Sequence, residues 1–293
     1  MELNSYFRGL LVNIEPGPEV VQTAKESHEE LRNILEDDEQ ISQADPETYL
    51  SGSYARDTAI DDIKDVDIIM TINLDHSITS PDVVVAWLQA SLQKYYSEVL
   101  PQGRSVRVTT DTGFHLDVVP ADPISRRDGP IWIPDREAKE WVTSHPKGQI
   151  TFASDRNKAT AGYYKPVIKI MKFWRDRLSS SEARVKSYIL ESLVAGFLVT
   201  EPSSYAHAVV YVLQDIIQKY SAHLNSAMVP KIPDPGYPVT NVAKRWEFRE
   251  FSAFLAAVKS SYKIAKAALD SANEDESIQL WRRLFGPKFM PKK

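Results

Sequence analysis

The chain has 293 residues, 43% of them hydrophobic and 26% charged, with no cysteine and a net charge of −5. This is the balance of a globular protein long enough to bury a sizeable core, in one large domain or two modest ones. Disulfides and thiolate metal sites are excluded, no apolar run approaches the ~20 residues of a membrane span, and the acidic charge argues against strong nucleic-acid binding, whose affinity comes mostly from phosphate neutralisation. Met1 to Arg8 lack the basic and apolar regions of a signal peptide, so a cytoplasmic protein is expected.

Along the chain, Glu19 to Glu36 carries Val20, Ala24, Leu31, Ile34 and Leu35 at helical spacing, and the acidic run Glu36-Asp37-Asp38-Glu39 ends that helix. Asp67 to Asn73 is short, apolar and β-branched, the texture of a buried strand. Pro81 to Tyr96 is helical. Val106 to Thr110 and His115 to Val119 read as two strands of a hairpin joined by Asp111, Thr112, Gly113 and Phe114. From Tyr163 onward Lys165 to Arg177, Ser187 to Thr200, Tyr205 to His223 and Lys244 to Ala272 show helical patterning, punctuated by Pro202 and the stretch from Pro230 to Pro238. The expected fold is α+β and bilobed: a mixed β-sheet lobe with an N-terminal helix over residues 1–160, then a helical lobe over 161–293, with a cleft between.

Chemistry concentrates in three places. In Leu50-Ser51-Gly52-Ser53-Tyr54, Gly52 lets backbone approach a phosphate closely, and Ser53 offers a hydroxyl and a backbone N–H. Asp65 and Asp67 stand two apart at the start of a strand, so both side chains take the same face. Two like charges beside a buried strand call for a counter-charge, which a divalent cation supplies. Asp117, between Leu116 and Val118, joins them if the sheet brings the two strands together. Three carboxylates suit Mg²⁺ or Mn²⁺ rather than zinc, and two such ions ~3.5–4 Å apart would serve a hydroxyl attack that releases pyrophosphate. The combination points to nucleotidyl transfer. Arg56 either touches phosphate or pairs with Asp57. Asp61 and Asp62 read as solvated loop acids, and His115, on the face of Asp117, reads as structural.

The run Gly52-Ser53-Tyr54-Ala55-Arg56-Asp57-Thr58-Ala59-Ile60, with Asp65-Val66-Asp67-Ile68 and Leu116-Asp117-Val118-Val119-Pro120-Ala121, resembles the polymerase-β-like nucleotidyltransferases. Within them it is most similar to the bacterial relatives of cyclic GMP-AMP synthase and oligoadenylate synthase, which make nucleotide second messengers in anti-phage defence. Pro166 to Trp174 resembles the family's lysine-bearing helix, and Lys186 to Glu191 its Lys-Ser-Tyr/Phe-x-Leu-Glu segment. Asp234-Pro235 with Asn241-Val242 resembles another recurring element, and Trp281 with Phe285-Gly286 the closing helix.

The resemblance implies that Ser53 holds the donor triphosphate. It implies that Asp65, Asp67 and Asp117 bind two Mg²⁺ or Mn²⁺ ions, with Asp117 the candidate general base. Lys172 and Ser187 would contact donor phosphates, and Tyr188 would stack on the donor base. Lys165, Lys169 and Lys172 share one helix face, and Ser187 opens a helix whose N-terminus favours anions. The lysines otherwise form a solvated face; Lys169 serves either the acceptor nucleotide or the surface. Tyr188 is alternatively a core aromatic, and Asp234 and Asn241 either read a base or order a loop. The implied substrates are NTPs, ATP among them, joined into a cyclic di- or trinucleotide. The implied partners are a regulatory protein and a downstream effector that binds the product. The alternatives are linear products, or an RNA 3′ end or a protein as acceptor. A catalytically silent binding module is a third reading, at odds with three retained carboxylates.

Overall fold

A computed structural model describes residues 1–61, 63, 65–124 and 128–292. In chain order the elements are α1 (Asn4–Ile14), α2 (Pro18–Asp37), the single turn α3 (Glu39–Ser42), β1 (Glu47–Ser51), the single turn α4 (Gly52–Ala55) and β2 (Val66–Thr71). Then come α5 (Pro81–Leu92), β3 (Glu98–Pro101), β4 (Val106–Thr109), β5 (His115–Pro123), β6 (Ile131–Asp135) and β7 (Glu140–Ser144). The rest is α6 (Pro146–Ala159), α7 (Tyr164–Asp176), α8 (Ser187–Phe197), α9 (Tyr205–Tyr220), β8 (Pro233–Asp234), β9 (Tyr237–Asn241), α10 (Phe248–Asp270) and α11 (Glu274–Phe285). The class is α+β, as expected. Among the described residues no helix is long and apolar enough to cross a membrane.

The chain forms two compact units, one of residues Pro16–Thr151 and one of Met1–Glu15 with Phe152–Lys293. The sequence alone places the boundary at residue 160 and residues 1–15 with the sheet; α2, the helix expected over Glu19–Glu36, is in the sheet unit, and residues 1–15 are in the helical one. The physical reason for the difference is aromatic. Phe7 of α1 lies edge-on to Trp281, Phe285 and Phe289, with centroids 5.0, 5.8 and 5.1 Å away, so α1 is core to the helical unit.

In the sheet unit the strand order is β1-β2-β5-β4-β3, with β6 pairing β5 and β7. β2 and β5 run parallel, and the other pairs run antiparallel, which makes the sheet mixed. One face carries Val66, Ile68 and Met70 of β2, Val106 and Val108 of β4 and Leu116 and Val118 of β5, packed against Leu31 and Leu35 of α2 and Val84, Leu88 and Leu92 of α5. A strand's period of two therefore sends Asp67, Arg107 and Asp117 to the opposite face. Further along that face Ile69, Val119, Ala121, Ile131 and Ile133 form a second apolar cluster. The polar site thus occupies the end of the sheet where β2 and β5 begin.

Local chemistry sets the ends of these elements. Pro18 sits in the first turn of α2, where its missing N–H costs nothing, and Glu19 complements the helix dipole there. Asp38 in the acidic run is buried, not solvated: its Oδ1 accepts from Gln40 N at 3.0 Å and Ile41 N at 2.9 Å, and Oδ2 from Lys94 and Tyr95 at 2.9 Å each. The hairpin β4–β5 forms with Thr109 opposite His115, and Gly113 takes a positive φ of 77° in the turn. In the helical unit α10 starts at Phe248, later than the expected Lys244, because Glu247 and Glu250 form a reciprocal capping box. Helix α9 gives way at Ser221 to a short 3₁₀ turn that carries His223.

Candidate active site

Four neighbouring strands build the site. In the parallel pairing of β2 and β5, Asp67 stands opposite Asp117, and in the antiparallel pairing of β1 and β2, Ser51 stands opposite Asp67. On the far side of β5, Arg107 of β4 is the register partner of Asp117. Arg107 Nε donates to Asp117 Oδ1 at 3.0 Å, and its Nη2 donates to Asp117 Oδ2 at 2.6 Å and to Asp65 Oδ2 at 3.1 Å. The guanidinium therefore grips one carboxylate with two parallel bonds and reaches a second with the same nitrogen. The hydrogen bond to Asp117, reinforced by the charges of Asp117, Asp65 and Asp67, raises the pKa of Arg107 above its ordinary value.

Asp67 has the opposite experience. Burial, then the charges of Asp65 and Asp117, push its carboxyl up to about 6 although Arg56 and Arg107 act to lower it. Its carboxylate also fixes the identity of residue 52. Gly52 has φ 70°, a region that disfavours side chains, and a Cβ there would collide with Asp67 Oδ2. Gly52 and Ser53 open α4 instead of lying in an irregular loop, because the chain turns helical directly after β1. Ser53 O accepts from Thr58 N at 2.9 Å and holds that turn. Arg56, next to it, is buried. Asp57 and Asp61 follow with left-handed φ values of 56° and 49°, a conformation Asp tolerates better than most residues. Asp62 lies outside the described residues. His115 begins β5.

The donor set is chemically suited to a divalent cation. It consists of hard oxygen ligands, and burial, then the charges of Asp65 and Asp117, disfavour the ionised form of Asp67, which added positive charge would relieve. Among the described residues no three His, Cys, Asp or Glu side chains are already drawn together as a cation cage; the Arg107 guanidinium lies among these aspartates instead.

The remaining sequence-selected residues lie in the helical unit, where polar contacts hold them. Lys172 Nζ of α7 meets Glu191 Oε1 of α8 at 2.6 Å, both side chains almost fully buried. Lys169 Nζ, also buried, meets Glu15 Oε1 at 3.0 Å. Ser187 is the first residue of α8, and its Oγ accepts from Arg175 Nη1 at 2.7 Å. Tyr188 donates its phenol to Asp234 Oδ1 at 2.6 Å, an oxygen that also accepts from Gly236 N at 2.8 Å. Asn241 Oδ1 accepts from the backbone N–H of Ile232 and of Ala243, both at 3.0 Å. Asp234 and Asn241 therefore order the β8–β9 loop in this structure. Sequence reasoning misses Arg107 and Arg175. The alternation Val106-Arg107-Val108 is the signal for the first, since it turns one charge to the face away from two buried valines.

A mixed sheet that sets Asp67 beside Asp117, with Asp65 at its lip and a Gly-Ser turn against the carboxylates, defines a nucleotidyltransferase. Residues 1–157 match the Second Messenger Oligonucleotide or Dinucleotide Synthetase domain (SMODS). The chain belongs to that family. It is 32% identical to a cyclic AMP-AMP-AMP synthase from an Acinetobacter strain, over 99% of this chain and 86% of the relative. It is 28% identical to a cyclic AMP-AMP-GMP synthase from Enterobacter hormaechei, over 99% of this chain and 92% of the relative. Its fold matches CdnC of Escherichia coli MS115-1, solved with ATP, at a TM-score of 0.81 and 20% identity over 99% of each chain. The same protein solved in complex with HORMA-deltaN matches at 0.80 and 18% identity, again over 99% of each chain.

Proposed function

We propose that this nucleotidyltransferase joins NTPs, ATP among them, into a cyclic trinucleotide that signals in anti-phage defence. Ring size and adenylate content rest on the two curated relatives matched along 99% of the chain, both named as synthases of cyclic trinucleotides that contain AMP. The observation that carries the chemistry is the register of Asp67 against Asp117 with Asp65 at the same lip. Each joining step forms one bond between a ribose hydroxyl and the donor α-phosphorus. It breaks the α–β anhydride, releases pyrophosphate and gives up the hydroxyl proton.

Asp65, Asp67 and Asp117 would hold the divalent cations, two Mg²⁺ or Mn²⁺ ions. Such ions supply charge that stabilises the developing pyrophosphate and acidifies the attacking hydroxyl. The protein's own residues position the reactants. Asp117, fixed by two bonds from Arg107, is the base candidate. Gly52 admits the donor phosphates close to the backbone, and Ser53 offers them its hydroxyl and N–H. Arg56 adds positive charge near Asp67. In the helical unit Arg175 donates to Ser187 Oγ, which leaves the serine's own O–H to donate to a phosphate oxygen. The bond to Asp234 sets the orientation of the Tyr188 ring for stacking on a base. Lys172, tied to Glu191, holds α7 against α8 and so positions Ser187 for the donor phosphates; Lys169 serves the acceptor nucleotide.

The solved complex of the related CdnC with HORMA-deltaN supports a regulatory partner protein here, and a downstream effector would read the product. Such a system operates in the cytoplasm. The test is to incubate the protein with Mg²⁺ or Mn²⁺ and all four NTPs, treat with phosphatase and read masses. A phosphatase-resistant cyclic trinucleotide containing AMP is expected. Solely linear, phosphatase-sensitive oligonucleotides would remove cyclisation, and a resistant dinucleotide would remove the ring size.

A further inference from the structure

We propose that Arg107 is a placeholder cation: it holds the aspartate cluster together before divalent ions arrive and surrenders its Asp65 contact when they bind. This inference rests on the reading that the three aspartates are cation ligands. Three observations support it. First, Arg107 Nη2 stands between Asp117 Oδ2 at 2.6 Å and Asp65 Oδ2 at 3.1 Å, so one cationic nitrogen satisfies two carboxylates at once. Second, the two contacts are unequal. The grip on Asp117 is bidentate, backed by the register of β4 on β5, and Asp117 is 10% exposed. The reach to Asp65 is a single, longer bond to a residue that precedes β2 and is 38% exposed. Third, Nε and Nη2 both hold Asp117, so it is the exposed Asp65 carboxylate, outside β2, that can turn away from Nη2 and leave the Asp117 pair in place.

The chemistry follows. A guanidinium cannot lose its charge in this setting, so the cluster admits a divalent ion only by a movement that parts Asp65 from Arg107. The weaker Asp65 contact is the one that yields. Arg107 is then a positioning residue, acting through Asp117 and Asp65. Its charge opposes cation entry and so sets cation affinity. It also spares the cation-free protein an unopposed cluster of carboxylates. A merely structural arginine would make no such trade: its removal would loosen the strands and leave cation binding equal or weaker.

The experiment measures Mn²⁺ binding by electron paramagnetic resonance on purified full chain without nucleotide, in wild type, Asp67→Asn and Arg107→Gln. Wild-type binding that weakens at least tenfold in Asp67→Asn upholds the reading of the aspartates; equal binding in those two proteins overturns that reading. Arg107→Gln is expected to bind Mn²⁺ about tenfold more tightly than wild type, and an equal or weaker affinity overturns the placeholder role alone. A second measurement needs no variant. In ¹⁵N-labelled wild type, Mg²⁺ is expected to shift the Arg107 Nη resonances while Nε, bonded to Asp117, stays in place. Nη resonances unmoved at saturating Mg²⁺ overturn the proposal.

Discussion

Each unit of this protein removes charge from water, and the two do so differently. In the helical unit Lys172 and Glu191 meet at 2.6 Å, one ammonium against one carboxylate, with 4% and 3% of their side chains exposed. In the sheet unit three aspartates gather about Arg107, and Asp67 is pushed up to about 6 even with two arginines nearby. The first arrangement pairs opposite charges and is suited to holding α7 against α8. The second leaves negative charge in surplus, a cost to stability that makes sense as a place for charge that comes and goes. An imbalance kept on a well-ordered sheet marks the working end of the molecule more clearly than any single residue type does.

The sharpest way to break this contrast is to remove one aspartate and look for function lost without fold lost. Asp117→Asn is expected to lower turnover by on the order of 10³-fold, the rate equivalent of several kcal/mol of transition-state stabilisation. Its circular dichroism and melting temperature should stay close to wild type. Nucleotide incorporation within tenfold of wild type would mean that Asp117 is not part of the reacting centre.

The pair of opposite charges should behave in the reverse sense. Glu191→Gln leaves a buried ammonium without its carboxylate and is expected to cost about 3–5 kcal/mol in urea unfolding. Replacing both partners, Lys172→Met with Glu191→Leu, should recover most of that loss, because well-packed apolar residues dispense with the desolvation penalty. If Glu191→Gln cost under 1 kcal/mol, the pair would not be what joins these helices.

Much of this contrast is visible in the amino-acid order, and the remainder is hidden for identifiable reasons. Gly52-Ser53, Asp65-x-Asp67 and Asp117 stand out because a charge inside an apolar run has few structural uses. The hairpin between residues 106 and 119 follows from alternation and a glycine. Its register does not. A four-residue loop over 111–114 pairs Thr110 with His115 and puts Arg107 across from Val118. The observed pairing of Thr109 with His115 shifts this by one and brings Arg107 to Asp117. One residue of slip reverses every face, so Arg107 cannot be assigned until the turn is known. β6 and β7 are obscured by Pro134 within β6. The place of α1 depends on Phe7 meeting Trp281 and Phe285 from the opposite end of the chain, a contact no local pattern encodes.

The surplus charge also predicts a gain. The folded protein holds the Asp67 proton more tightly than the unfolded chain does, with a carboxyl pushed up to about 6 from an ordinary 3.8. Between those two values the folded state binds more protons, so stability falls as pH rises through the window and stays low above it. Asp67→Asn removes the charge and should stabilise the protein in chelator at pH 7.5 by about 1–3 kcal/mol, an upper range set by the size of the shift. That variant should also lose the pH dependence between 4 and 6 that Asp67 gives the wild type. A variant no more stable than wild type would show that Asp67 carries no electrostatic strain.

The smallest expected effect separates positioning from burial in the helical unit. Tyr188→Phe deletes the hydrogen bond to Asp234 Oδ1 and keeps the ring. Asp234 still accepts from Gly236 N at 2.8 Å, so the loop retains one of its ties and the stability loss should be about 1 kcal/mol. If the ring stacks on a base, freeing it to rotate should raise KM for ATP about threefold with kcat little changed, while Tyr188→Ala, which removes the stacking surface, should raise KM by tenfold or more. A plain core tyrosine would give another pattern: both variants would lower the melting temperature, in proportion to the apolar area removed, and KM would stay put at temperatures where the protein is folded. Steady-state kinetics on the two variants at 20 °C decide between these, since an aromatic that only packs has no reason to distinguish ATP-bound from free enzyme.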